Sequence, residues 1–281
     1  MKLQKISTLT GLMAASVLAL SSAPAQAFSF TTNFTYEDAT LTDIEKAKGN
    51  IFLNSIEKDG DIFKEFAFVN RAKILFNTPV EFNIPGDPDS GVNLQSGGAS
   101  ADRGDKADGT VANDPNNDHI VEALGNNNLN NIIDGEDGGE FKMNLWFEKK
   151  VKHLFFWERG LNSDLRVQAI DKDGHLLGNF FDILRNQWDD AGYSINTTEI
   201  PNAQRVGSRG VSLADLGLDM KSIYGIQVSA FANDEDGFFD GPDFKVVGAY
   251  KTVPEPASLL GLGLVAGVVG LSRRRQATKN A

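Results

Sequence analysis

Two acidic stretches hold the residue types and spacing best suited to chemistry. Asp134-Gly135-Glu136-Asp137 sets three carboxylates around a glycine, and Asp234-Glu235-Asp236-Gly237, with Asp240 and Asp243, adds more just before a last apolar run. Hard divalent cations take about six to eight oxygens from carboxylates, amides and backbone carbonyls on a bent loop. Asp134, Glu136, Asp137, Asp234, Asp236, Asp240 and Asp243 are therefore the calcium candidates, and the two clusters could share one ion if the strands that carry them lie close. Neither stretch has the every-second-residue spacing of an EF-hand. Solvated acidic turns use the same residues, so the pattern leaves both readings open.

Other chemistry is thinner. The three histidines, His119, His153 and His175, show no H-x-x-x-H or H-E-x-x-H spacing, and cysteine is absent. No G-x-S-x-G elbow, Walker loop or G-x-G-x-x-G turn occurs. Glu158, followed by Arg159, is the one acid in an apolar setting that suggests half of a glycosidase pair. The same residue fits a structural ion pair or a hydrogen-bonded turn involving Asp164. Among the aromatic residues, Trp146 and Trp157 belong to apolar runs and are assigned to the core. Trp188, between Gln187 and Asp189, is expected to be exposed and is the candidate glycan contact.

These residues must be positioned by strands. Phe28, Phe30 and Phe34 alternate with Ser and Thr, and Phe141, Met143, Leu145 and Phe147 repeat the period of two. Further strands are predicted over 51–56, 62–68, 72–76, 151–157, 165–169, 176–184, 193–200, 222–230 and 244–250, with turns at Asp59-Gly60 and Asp171–Gly174. Residues 37–48 could hold a helical turn, and 212–217 one turn ending at its glycine. No long amphipathic helix interrupts the pattern. The expected fold is all-β, an antiparallel β-sandwich of the jelly-roll or galactose-binding-like kind. Residues 86–140 carry twelve acidic side chains, two basic ones and nine asparagines. The first part, 86–120, is expected to be a long exposed acidic loop.

The two ends read as addresses. A lysine-bearing start, an apolar run from Leu9 to Leu20, and Ala25-Gln26-Ala27 have the three parts of a secretory signal peptide, so 1–27 is assigned to it, with signal peptidase as the partner. At the other end come Val253-Pro254-Glu255-Pro256, fifteen apolar or small residues at 257–271, and Arg273-Arg274-Arg275. The apolar stretch is short for a hydrocarbon core of about 30 Å, and the arginines would hold its end in the cytoplasm. It is read as a transient transmembrane tether. The order of box, apolar segment and basic stop resembles the C-terminal signal of exosortase substrates, the PEP-CTERM proteins. That resemblance implies cleavage near 254–256 by exosortase and delivery to the cell surface or extracellular matrix.

The secreted domain is thus 28–252 and the sorting signal 253–281. Removing the basic residues of both ends takes away six of 27 and, with Glu255 kept, leaves 21 against 38 acidic ones, a net charge of −17. Such acidity argues against nucleic acid as a partner. Segments 127–134, 156–165 and 241–248 resemble a family of exosortase-dependent surface proteins of cyanobacteria, which implies export and processing but no catalytic residues. The sequence therefore predicts a non-enzymatic structural component of the cell surface. A calcium-dependent carbohydrate-binding module, meeting extracellular polysaccharide, is the alternative, and a surface glycoside hydrolase stands third.

Overall fold

The computed structural model describes residues 27–78, 98–197, 202–231, 239 and 241–253. The predicted signal peptide up to residue 26 and the tether at 257–271 lie outside them. Among the described residues no helix is long and apolar enough to cross a membrane.

Fourteen strands and two short helices follow in order: β1 (Thr31–Tyr36), α1 (Asp43–Lys46), β2 (Ile51–Lys58), β3 (Asp61–Ala67), β4 (Val69–Thr78), β5 (Ala99–Arg103), α2 (Asn117–Leu124), β6 (Asn131–Gly135) and β7 (Glu140–Val151). The second half holds β8 (His153–Arg159), β9 (Leu165–Ile170), β10 (Leu176–Ile183), β11 (Asp189–Ile195), β12 (Gln204–Ser212), β13 (Ile223–Ala230) and β14 (Asp243–Val253). They form two antiparallel sheets, as expected for a sandwich. The larger runs β1-β2-β3-β14-β8-β12-β11, with β6 also pairing β14 and β5 pairing β6. The smaller runs β10-β9-β13-β7-β4.

The larger sheet is apolar on both faces. Leu154 and Phe156 of β8 and Phe244 and Val246 of β14 point into the core between the sheets. Phe155, Trp157, Val247 and Ala249 point the other way, into a second core with Phe30, Ile51, Phe63 and Tyr193. The sheet curls until its edge strands approach, with the Phe34 and Tyr193 rings 5.1 Å apart, so the arrangement is nearly a barrel. This explains why 154–157 is a continuous apolar run: a strand buried on both faces has no polar side.

Turn chemistry follows the residues. Asp59 and Gly60 both take positive φ, 52° and 85°, as a tight two-residue hairpin between β2 and β3 requires. Asp171 closes the β9–β10 turn by accepting from the backbone of Asp173 and His175 at 2.8 and 2.9 Å.

Three expectations need correction. Of the loop expected over 86–120, residues 86–97 lie outside the described residues, 104–116 is a largely exposed loop, and its two flanks are not loop. β5 is buried along its length apart from Arg103, and α2, capped by Asn116, packs Ile120, Ala123 and Leu124 into the inter-sheet core. A small-residue strand, Ala-Ser-Ala-Asp, shows no apolar pattern because its neighbours leave no room for large side chains. β12, a central strand of the larger sheet, lies in a stretch with no predicted element, and β11 starts four residues before the predicted 193. Finally, 212–217 is a turn, held by Asp215 accepting from Ser212 N–H at 2.6 Å, and not a helix.

Candidate functional site

Two polar clusters occupy the end of the larger sheet where β6 meets β14. The first is charged. Asp134 on β6 and Asp243 on β14, one from each predicted calcium stretch, do come together, but around a guanidinium. Arg159, at the end of β8, donates from Nε to Asp243 Oδ2 at 2.7 Å and from Nη2 to both Asp134 oxygens at 3.2 Å. Its Nη1 donates to Thr197 Oγ1. Asp243 Oδ1 accepts from Gly135 N–H at 2.9 Å. Arg159 is 2% exposed, Asp134 1% and Asp243 4%, so Arg159 supplies the countercharge in a dry interior. Glu136 is also buried and Asp137 half-buried beside Gly241. Asp234, Asp236 and Asp240 lie outside the described residues.

Glu158 adjoins this knot and is fully buried. Its Oε2 accepts from Leu161 N–H at 2.6 Å across a turn in which Gly160 and Leu161 take positive φ. Burial above all, then the charge of Asp243, pushes its carboxyl well above the usual carboxylate range. Of the alternatives for this residue, the hydrogen-bonded turn is the one present. An acid sealed from water and sugar has no route to a glycosidic bond.

Trp188 is not exposed. It is 7% accessible and packed in the inter-sheet core, and its indole N–H donates to Ser163 O at 2.9 Å. The space for it exists because residue 207 is glycine, where a Cβ would stand 2.6 Å from Trp188 Cβ. Trp146 and Trp157 are buried, as expected, and Trp157 donates to Thr32 Oγ1 at 2.9 Å. His175 and its neighbours Asp171 and Asp173 bring three possible ligand atoms within 4.8 Å of one another on an exposed turn, but Asp171 is already committed to the turn's backbone and to His175.

The second cluster is built mainly of amides, and nothing in its composition marked it beforehand as more than a turn. The run Asn126-Asn127-Asn128-Leu129-Asn130-Asn131 links α2 to β6. Asn128 Oδ1 accepts from the backbone of Ile51 at 3.0 Å and Asn130 at 3.1 Å, and its amide donates to Asn50 Oδ1 at 2.7 Å. Asn50 in turn donates to Asp108 Oδ2 at 2.8 Å and accepts from Asp108 N–H at 2.8 Å. Asn126 Oδ1 accepts from Asn128 N–H at 2.9 Å and from Lys245 Nζ at 3.1 Å. Lys245 is fully buried with Ala123 O as its other acceptor, at 2.7 Å, and burial pushes its ammonium down to about 7. In front of these amides lies an open pocket of about 380 Å³, walled on one side by the half-buried Phe52. The signal that could have found it is the density of asparagine, whose amide competes with the backbone for hydrogen bonds and so favours loops and turns.

Beyond β14 the chain enters its sorting segment, and residues 252–276 match the PEP-CTERM protein-sorting motif. The chain carries an exosortase sorting signal. The motif marks it for export to the cell envelope or surface and implies exosortase as the processing partner. The match begins inside β14, whose last pairing is Val253 with Ile62, so the motif follows the fold without a linker. No curated protein and no solved structure matches the chain significantly.

Proposed function

We propose that this PEP-CTERM protein is a non-enzymatic structural component of the cell surface or its extracellular matrix. The observation that carries the reading is the sorting motif joined directly to a twofold-cored β-sandwich. The enclosure of Glu158 supports it further, since the acid best placed for hydrolysis is spent on a turn. The reading includes removal of 1–27 by signal peptidase and a transient tether through 257–271.

The test is a triple substitution, Pro254→Ala, Glu255→Ala and Pro256→Ala, in the natural host. The expected result is a longer chain retained in the membrane fraction and lost from the surface and matrix. An unchanged processed mass and location would overturn the reading.

A carbohydrate-binding module is the second reading, favoured by the amide-lined pocket. It does not call on calcium at Asp134 and Asp243, whose carboxylates both bond Arg159.

A further inference from the structure

We infer that the pocket beside the 126–131 asparagine run binds one neutral sugar unit of a polysaccharide. The inference rests on the carbohydrate-binding reading and gives it a place and a ligand class.

Its size falls within the range of about 300–1,000 Å³ usual for small-ligand sites. Five of its nine lining residues are asparagines, and a carboxamide offers both donors and an acceptor. Sugar hydroxyls, which donate and accept at once, need that mixture. The amides of Asn50, Asn126 and Asn128 spend theirs on one another, on Asp108 and on the backbone, so they order the frame and leave Asn127 and Asn131 to meet a ligand. Asn127 joins the fold through its carbonyl, which accepts from Leu53 N–H at 2.9 Å, and its side chain stands at the exposed mouth.

One acceptor is left over. Asn131 is 3% exposed, and its Oδ1 has no hydrogen-bond partner among the described residues. Buried polar atoms are normally satisfied, so an unmatched one at a pocket floor points to a missing partner. Beside it lies Gly109, whose φ of +138° admits few side chains and where a Cβ would lie 2.4 Å from that oxygen, so residue 109 puts no side chain against the acceptor. Opposite, Phe52 offers a partly exposed apolar face to the C–H side of a pyranose ring. Charge sets the class: Asp108 and Glu122 on the rim repel uronate and sulfated units, leaving neutral hexoses.

The test uses the full chain in a detergent without a sugar headgroup and with EDTA present. Glucose-, mannose- and galactose-based trisaccharides are compared with trigalacturonate by saturation-transfer NMR and calorimetry. At least one neutral trisaccharide should bind and trigalacturonate should not. Phe52→Ala and Asn127→Ala should each weaken binding about tenfold, the loss of one good contact. Because Phe52 is also part of β2, Asn127→Trp, which fills the mouth from an exposed position, provides a second block and should abolish binding. Neutral-glycan binding that survives every variant would overturn the pocket while leaving the binding-module reading intact. Binding of trigalacturonate alone would overturn the ligand class. No binding to any of the probes would overturn both.

Discussion

The two polar clusters sit three residues apart along β6, Asn131 in one and Asp134 in the other, yet they solve burial in opposite ways. Around Arg159 two carboxylates share one guanidinium in a closed, buried site. Around Asn128 most groups are amides, cross-bonded, tied to Asp108 and Lys245 at their margins, and open on one side to solvent. A buried ion cluster is costly to desolvate and is retained only where every charge has its partner, so it has nothing left to offer a ligand. An amide network costs less to bury and can keep spare valence, as the oxygen of Asn131 does. Acidic residues were the visible candidates for a site, but here they build the frame, while the asparagines beside them make the cavity.

The largest test of this contrast is Arg159→Met. It strands Asp134 and Asp243 in the interior and should cost about 3–5 kcal/mol, read by urea denaturation. Adding Asp134→Leu and Asp243→Leu should recover much of that loss, because the penalty belongs to the unpaired charges. If the single variant is as stable as the parent, the knot is not the closed structural element described here.

On the amide side the fully buried ionisable anchor is Lys245. Its folded pKa, about 7, lies below the ordinary 10.5, so the unfolded chain binds more protons between those values. Stability should therefore rise with pH across that window, by about 1.4 kcal/mol per unit at most. Lys245→Met should flatten the rise. A parent curve that is flat or falling between pH 7 and 10 would mean that Lys245 is better solvated than its packing implies.

The smallest effect belongs to Glu158→Gln. The raised carboxyl pKa means that protonated Glu158 is the form the fold accepts. Its contribution is complete below the unfolded value near 4.5 and is lost as pH climbs through the folded one. The glutamine variant, uncharged throughout, should differ little from the parent at pH 4 and gain on it as pH rises, by about 1 kcal/mol. A variant that loses ground on going from pH 4 to pH 8 would show that the charged form is the one stabilised.

Much of the sandwich could be read from its strands, because Phe141 to Phe147 alternate and Asp59-Gly60 announces its own turn. β12 could not. Its Gly207 and Gly210 look like loop residues, and their reason is remote in sequence. A Cβ at 210 would lie 2.1 Å from the Phe28 ring, and one at 207 would meet Trp188. Trp188 was misplaced for the same cause: its polar neighbours suggested the surface, and the cavity that receives it is made by a glycine nineteen positions later. For the acidic clusters, the meeting of Asp134 and Asp243 was foreseeable from their place beside terminal strands. The cation that joins them sits on β8, between them in sequence and marked by no motif. The amide pocket needed the loop around Gly109 to be folded against residues 50–52 and 126–131, a juxtaposition that single-sequence periodicity does not contain.

β14 has a consequence for timing. It is the strand that joins β3 to β8 and takes β6 alongside, so without it the larger sheet falls into three pieces. In a chain exported N-terminus first, this strand emerges last and is followed at once by the sorting motif. Completion of the sheet is thereby deferred until the strand that runs into the motif has been made. The last piece of the fold and the start of its sorting signal are one stretch of chain.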